Sequence, residues 1–99
     1  EKVLAVQSVY VKKRRQEWCM RVQHMKEASP CNDCGRKYPY YVMDFDHVRG
    51  KKQIGLGDPR AKRLSWVKTL AEIAKCDLVC ANCHRERTYA RKVALRHAA

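Results

Sequence analysis

The fold is decided by two stretches, Cys31-Asn32-Asp33-Cys34-Gly35 and Cys80-Ala81-Asn82-Cys83-His84, which lie on either side of an Asp46-His47 pair. Each stretch holds two cysteines separated by two residues. Paired cysteines at this spacing are typical of a closed tetrahedral zinc site, and four thiolates complete one such site. We therefore predict that a structural Zn²⁺ is bound by Cys31, Cys34, Cys80 and Cys83.

Other uses of the cysteines stay open. Six cysteines in a short chain can form the disulfides of a secreted protein, but we find no apolar stretch as long as a signal-peptide core or a membrane span. The four thiols can instead be buried and free of metal. His84 can replace Cys83 in a Cys3His site, and Cys76 can compete for the ion. Cys19 and Cys76 are otherwise expected to be ordinary buried cysteines, and we expect a reduced, cytoplasmic protein.

The charge of the chain favours a polyanionic partner. Among 99 residues, 22 are Lys or Arg and 10 are Asp or Glu, so the formal net charge is +12 and the pI is about 9.8. A zinc ion bound by four thiolates lowers this only to about +10. Such an excess favours DNA or RNA over an anionic membrane, and no membrane partner is expected.

The chain is expected to form one domain over residues 1–99. A long helix is predicted for residues 1–28, where a stripe recurs every seven positions and Pro30 follows the end; its members are Leu4, Val11, Trp18 and Met25, with Val22 beside them. A strand is predicted from Tyr40 to Val48. Its alternation puts Asp46 and His47 on opposite faces, so the strand must end or bulge there.

The second half is expected to alternate between loop and regular structure. Residues 49–63 form an irregular basic connector, predicted to be a mobile loop against nucleic acid. Ser65 is predicted to cap a helix that runs through Cys76 and buries Val67, Leu70, Ala71 and Ala74. A short strand over 77–79 and a helix from Asn82 to about Arg96 complete the prediction.

Three motifs together resemble the HNH endonuclease family, in particular its phage and bacterial members with a four-cysteine zinc site. The motifs are Cys31-Asn32-Asp33-Cys34-Gly35, Asp44-Phe45-Asp46-His47-Val48-Arg49-Gly50-Lys51-Lys52 and Cys80-Ala81-Asn82-Cys83-His84-Arg85. The resemblance implies an α+β fold. Its ββα-metal core, stapled by zinc, spans residues 30–92 and is preceded by the long N-terminal helix.

The resemblance also implies catalytic roles. His47 would be the general base that deprotonates the attacking water, and Asp46 with His84 would hold one catalytic divalent cation, Mg²⁺, Mn²⁺ or another. These roles suit the residues, because imidazole titrates near neutral pH and a metal with two protein ligands keeps positions for water and phosphate. Asp44 either supports this site or only solvates the strand.

The sequence departs from the family at the middle asparagine, since the stretch before the second cysteine pair reads Ala74-Lys75-Cys76-Asp77. A backbone carbonyl or Asp77 can take over the orientation of His47. Contacts with nucleic acid are predicted for the basic residues of the connector and the last helix, namely Arg49, Lys51, Lys52, Arg85, Arg87 and Arg91.

The leading hypothesis from the sequence is a metal-dependent endonuclease that hydrolyses DNA phosphodiester bonds. Its alternative is a non-catalytic zinc module that only binds nucleic acid. RNA remains a third possible target, because contacts with the 2′-hydroxyl leave no signature in residue spacing. A monomer and a homodimer both fit the sequence.

Overall fold

The computed structural model describes the backbone of residues 2–98 and the side chains of residues 8–98. Within this part of the chain the fold is α+β, with three α-helices and one two-stranded antiparallel sheet. The elements are α1 (Lys2–Ala28), β1 (Met43–His47), α2 (Trp66–Ile73), β2 (Cys76–Cys80) and α3 (Ala81–Ala98). Two short 3-10 helices, Tyr40–Val42 and Pro59–Arg63, lie before and after β1.

The helix α1 confirms the predicted N-terminal helix, but only part of its stripe is buried. Trp18 and Val22 are 8% and 6% exposed, whereas Val11 is 41% exposed and Met25 is half-buried. Leu4 lies outside the described side chains. The helix thus packs on the rest of the molecule through its second half.

The strands β1 and β2 pair in regular register, with Met43 opposite Cys80 and His47 opposite Cys76. The observed strand starts three residues later than predicted, because Pro39 opens a 3-10 helix that occupies Tyr40–Val42. It ends at His47 without a bulge, which is one of the two outcomes that the alternation allowed.

Two small core clusters flank the sheet. The first contains Cys31, Met43, Val79 and Cys80, and the second contains Trp18, Val22 and Ala61. Ala61 belongs to the 3-10 helix Pro59–Arg63, where the sequence predicted only irregular loop. This helix forms because Asp58 caps it through the N–H of Arg60 and because the small, fully buried Ala61 lets it approach α1.

The helix α2 begins as predicted, since the Ser65 hydroxyl accepts a hydrogen bond from the N–H of Lys68 at 3.2 Å. It ends earlier, at Ile73, because Cys76 already belongs to β2. The predicted buried side was wrong: the exposed residues are Val67, Leu70, Ala71 and Ala74. The side that packs inward carries Thr69 and Glu72, which are buried because each finds hydrogen-bond partners there.

The helix α3 packs on both strands of the sheet and begins directly after Cys80. It extends slightly beyond the predicted range at both ends. Among the helices of the described residues, none has an apolar stretch of the length needed to cross a bilayer.

Candidate functional site

The four predicted cysteines form one cluster, in which all four Sγ atoms lie within 4.8 Å of one another. A tetrahedral zinc site with Zn–S distances of about 2.3 Å places its sulfurs about 3.8 Å apart. The Sγ atoms of Cys34 and Cys80 are 4.0 Å apart, close to that value and far longer than a disulfide bond. All six cysteines are free, so this cluster can hold a metal ion such as zinc.

Each cysteine pair lies on a turn whose N–H groups point at sulfur. The N–H of Cys34 and the N–H of Cys80 both donate to Cys31 Sγ, at 3.5 and 3.3 Å. Gly35 follows the first pair with a φ of +74°, a conformation that glycine adopts without strain. The second pair joins the last residue of β2 to the first turn of α3, where Cys83 donates its N–H to Cys80 Sγ at 3.5 Å.

These contacts favour a thiolate at Cys31. Burial raises the pKa of the Cys31 thiol, but the backbone N–H groups outweigh it and bring the pKa to about 6. The hydrogen bond with Cys80 and burial, with further contributions from Cys31 and Cys34, raise the pKa of Cys83 to about 12. A bound Zn²⁺ would remove that proton, because a thiol that ligates zinc is deprotonated.

The other candidates for the zinc shell lie outside it. Cys76 is half-buried, and its Sγ lies 3.4 Å from the carbonyl oxygen of Glu72, not in the cluster. Burial raises the pKa of its thiol to about 11, so it stays protonated. His84 projects toward β1 and contacts carboxylates. The geometry therefore favours the four-cysteine set over the Cys3His set.

The imidazole of His47 pairs with a residue that the sequence did not single out. Its Nε2 lies 2.8 Å from Oε2 of Glu72, and both side chains are largely buried. Asp77, one of the two groups considered for this role, instead accepts hydrogen bonds from Arg49 and Arg87. Glu72 thus occupies the position of an orienting group for His47.

Glu72 is ionised at neutral pH. Burial raises its pKa, but hydrogen bonds from Lys75, His47 and the N–H of Gln53 outweigh burial and lower the pKa to about 2. An ionised carboxylate can only accept hydrogen bonds. In the neutral imidazole of His47, the hydrogen therefore sits on Nε2, and Nδ1 keeps its lone pair.

His84 meets two carboxylates of β1. Its Nδ1 lies 3.0 Å from Oδ2 of Asp44, and its Nε2 lies 3.6 Å from Oδ1 of Asp46. Two ligands at about 2.1 Å from one ion are at most about 4.2 Å apart, so Asp46 and His84 fit a shared divalent cation. They do not form a three-ligand cage: within the described residues, the cysteines are the one group of three or more with that geometry.

Asp46 is already held by two arginines. Arg91 binds both of its carboxylate oxygens, at 3.1 and 2.7 Å, and Arg87 binds Oδ2 at 3.0 Å. The hydrogen bond from Arg91 is the largest of the effects that keep the pKa of Asp46 below its ordinary value against burial. The carboxylate is 4% exposed, so a cation that binds it must displace at least part of this clamp.

Three of the six predicted nucleic-acid contacts, Arg49, Arg87 and Arg91, are engaged within the protein. Arg49 donates to the carbonyls of Ala74 and Cys76 and pairs with Asp77. Arg87 binds Asp33 with two hydrogen bonds of 2.7 Å besides Asp46 and Asp77. Arg91 binds Asp46 although its side chain is exposed, and the other three predicted contacts, Lys51, Lys52 and Arg85, also have exposed side chains.

An open groove runs along α3 beside His84. Its volume is about 500 Å³, and its lining includes Asp44, His84, Arg85, Tyr89 and Lys92. Asp44, left open between two roles by the sequence, therefore lies at a surface that a large substrate can reach. His47 lies on the other face of β1, as the alternation predicted.

Comparisons of the chain with models of protein families, with curated proteins and with solved structures find no match.

Proposed function

We propose that the chain is a metal-dependent endonuclease of the HNH type that hydrolyses phosphodiester bonds in DNA. The observation that carries this proposal is the proximity of Asp46 and His84, with 3.6 Å between their ligand atoms, outside the cysteine cluster and beside an open groove that Arg85 and Lys92 line. A zinc module that only binds nucleic acid has no need of this second set of ligands.

In this proposal His47 is the general base. Glu72 fixes the ring through Nε2, so Nδ1 is the nitrogen that accepts a proton from the attacking water. The same arrangement of carboxylate and imidazole orients the base in other hydrolases. Because Asp46 and His47 project from opposite faces of β1, the scissile phosphate must lie at the end of the strand, where both faces are within reach.

Asp46 and His84 would hold a divalent cation, Mg²⁺ or Mn²⁺, which supplies stabilisation of charge on the phosphate and on the leaving oxygen. Arg91 is the residue that must move, and its side chain is 49% exposed. A phosphate of the substrate is another anion whose geometry matches the guanidinium of Arg91. Arg91 would then pass from Asp46 to the phosphate.

The competing candidate, a zinc module that binds nucleic acid without cutting it, has its own support. Asp46 is satisfied by Arg87 and Arg91, and His47 is satisfied by Glu72, so both buried groups already have structural partners. Cleavage therefore has to be measured, not binding alone.

The decisive experiment is cleavage of supercoiled plasmid with and without Mg²⁺ or Mn²⁺. His47→Ala should lower the single-turnover rate by roughly 100-fold or more, the usual contribution of a general base, while zinc content and DNA affinity stay unchanged. His24→Ala is the matched control, because this histidine is exposed on α1, and it should cut like the wild type.

A wild-type protein that binds DNA but never cuts it would favour the binding module. Equal rates for His47→Ala and the wild type would mean that the base is misplaced.

The second arm tests the metal ligands. His84→Ala should keep the fold and the zinc but require a higher Mn²⁺ concentration for half-maximal cleavage, because it removes one ligand of the open site. Loss of zinc from this variant would instead favour the Cys3His site.

A further inference from the structure

A second basic surface lies along the junction of α1 with the 3-10 helix Pro59–Arg63, and neither the cysteine cluster nor the His84 groove uses it. Two adjoining grooves of about 330 and 610 Å³ follow this junction. We call it the basic seam and define it by six exposed side chains: Lys12, Arg14, Arg15, Arg21, Lys62 and Arg63.

The seam is almost uniformly positive. Among the residues that line the two grooves, Glu17 is the one carboxylate. A further lining residue, Arg60, is already paired with Asp58 and is left out of the definition. Arg15, Lys62 and Arg63 line both grooves, so the positive charge is continuous from one groove to the other.

The packing that builds the seam holds it in place. Trp18, Val22 and Ala61 form the core cluster beneath it, and Arg21 stacks on the Trp66 ring at 5.1 Å from its centroid. From Lys12 to Arg21 the helix advances about 14 Å, the axial rise of about four phosphates on one strand of B-DNA. Guanidinium and ammonium groups distributed over this length, on both sides of the line where Pro59–Arg63 meets α1, suit several phosphates better than a single small anion.

We propose that the basic seam is a second contact surface for the nucleic acid backbone, which anchors DNA away from the site at the end of β1. The connector that starts after His47 ends in the 3-10 helix of the seam, so one segment joins the two surfaces. The proposal extends the proposed function by naming a binding surface, but its test reads affinity and does not depend on cleavage.

Nucleic acid fits the seam better than a membrane does. A helix that lies in a membrane surface needs a continuous apolar face opposite its basic one. The exposed apolar residues Val9 and Met20 of α1 share their side of the helix with Lys13, which interrupts such a face.

The test compares two double variants of equal net charge. Arg15→Gln/Arg63→Gln removes two charges from the seam, and Lys37→Gln/Lys68→Gln removes two from exposed positions elsewhere. Each is titrated with a labelled short duplex DNA over a range of salt concentrations. The seam variant should bind about 10-fold more weakly at low salt, and its slope of log K against log salt should shrink by about 2, since two phosphate contacts are lost. The control should change little in slope.

Each other outcome contradicts the proposal that the basic seam contacts DNA, or shows that this proposal and the nuclease proposal are independent of each other. Equal losses in the two variants would show that only net charge matters, and unchanged binding of the seam variant would exclude the contact. Wild-type binding to phosphatidylserine vesicles but not to DNA would replace nucleic acid by a membrane. If the wild type cuts DNA and the seam variant binds DNA normally, only the proposal that the basic seam contacts DNA is contradicted. If the wild type never cuts DNA and the seam variant loses DNA affinity as expected, only the nuclease proposal is contradicted.

Discussion

At Glu72 one carboxylate joins three parts of the chain. It accepts from His47 of β1, from the N–H of Gln53 in the connector and from Lys75 in the turn before β2. A buried carboxylate is costly unless such donors surround it. The hydrogen bonds that offset the cost of burying Glu72 include the one that orients the ring of His47. The stability of the fold and the orientation of the proposed base therefore both depend on Glu72.

Glu72→Gln should lower the free energy of unfolding by about 2 kcal/mol at neutral pH, because charge-assisted hydrogen bonds are replaced by weaker ones. The pKa of Glu72 is depressed to about 2, so its stabilisation is complete above about pH 4.5 and is lost as the pH falls toward 2. Because Glu72 stays ionised in this range, urea titrations of the zinc-loaded proteins should give a difference from the wild type that does not shrink as the pH falls from about 8 to 5.5.

Glu86→Gln is the control, because Glu86 is exposed on α3 and its replacement should be nearly neutral. A difference between Glu72→Gln and the wild type that shrinks already from pH 7 to 5.5 would show that Glu72 titrates there and that its hydrogen bonds are weaker than the structure indicates.

Residue spacing was sufficient to predict the cluster of four cysteines and to place Asp46 and His47 on opposite faces of the strand. It did not point to Glu72, which is the one acidic residue of a largely apolar helix. Its role arises because α2 packs on the sheet with that side inward, a choice set by tertiary contacts and not by the local pattern.

At the scale of elements, α2 is attached to α1 by a buried polar contact. Trp18 Nε1 donates to Thr69 Oγ1 at 2.8 Å, and Thr69 donates in turn to the carbonyl of Ser65 at 2.9 Å. This contact explains why the apolar periodicity of α2 predicted the wrong buried side. The indole N–H of a buried tryptophan needs an acceptor, and Thr69 supplies one at a position that a valine or leucine cannot fill.

Thr69→Val keeps the shape of the side chain but leaves the Trp18 N–H without its acceptor. We expect the free energy of unfolding to fall by about 2 kcal/mol, the usual cost of an unsatisfied buried donor, and the melting temperature to fall by roughly 10 °C. Thr88→Val is the matched control on α3, since Thr88 is exposed and bonds only the carbonyl of His84. Equal melting temperatures for the two variants would mean that water replaces the lost acceptor.

At the scale of the whole molecule, the cysteine cluster joins segments that the small core holds only weakly. Seven apolar residues of the described side chains are buried, in two separate clusters. The cluster with Cys31 and Cys80 contains two of the four predicted zinc ligands, so zinc binding would involve the same side chains that form this core. Structural zinc sites contribute about 10–16 kcal/mol, which matches or exceeds the stability of an ordinary small domain.

Cys80→Ser should therefore lose zinc and unfold or aggregate, and DNA binding should disappear with the fold. Cys80 is 2% exposed and lies in the cluster, whereas Cys76, four residues earlier, is half-buried and outside it. Cys76→Ser is the matched control: a serine hydroxyl can keep the hydrogen bond to Glu72, so zinc content, circular dichroism and DNA affinity should stay near wild type. Zinc content by elemental analysis gives the answer, at about one ion per chain for the wild type and for Cys76→Ser. If Cys76→Ser lost the zinc and Cys80→Ser kept it, the ligand set would be wrong. A Cys80→Ser protein that is folded but free of metal would show instead that the core is stable without the ion.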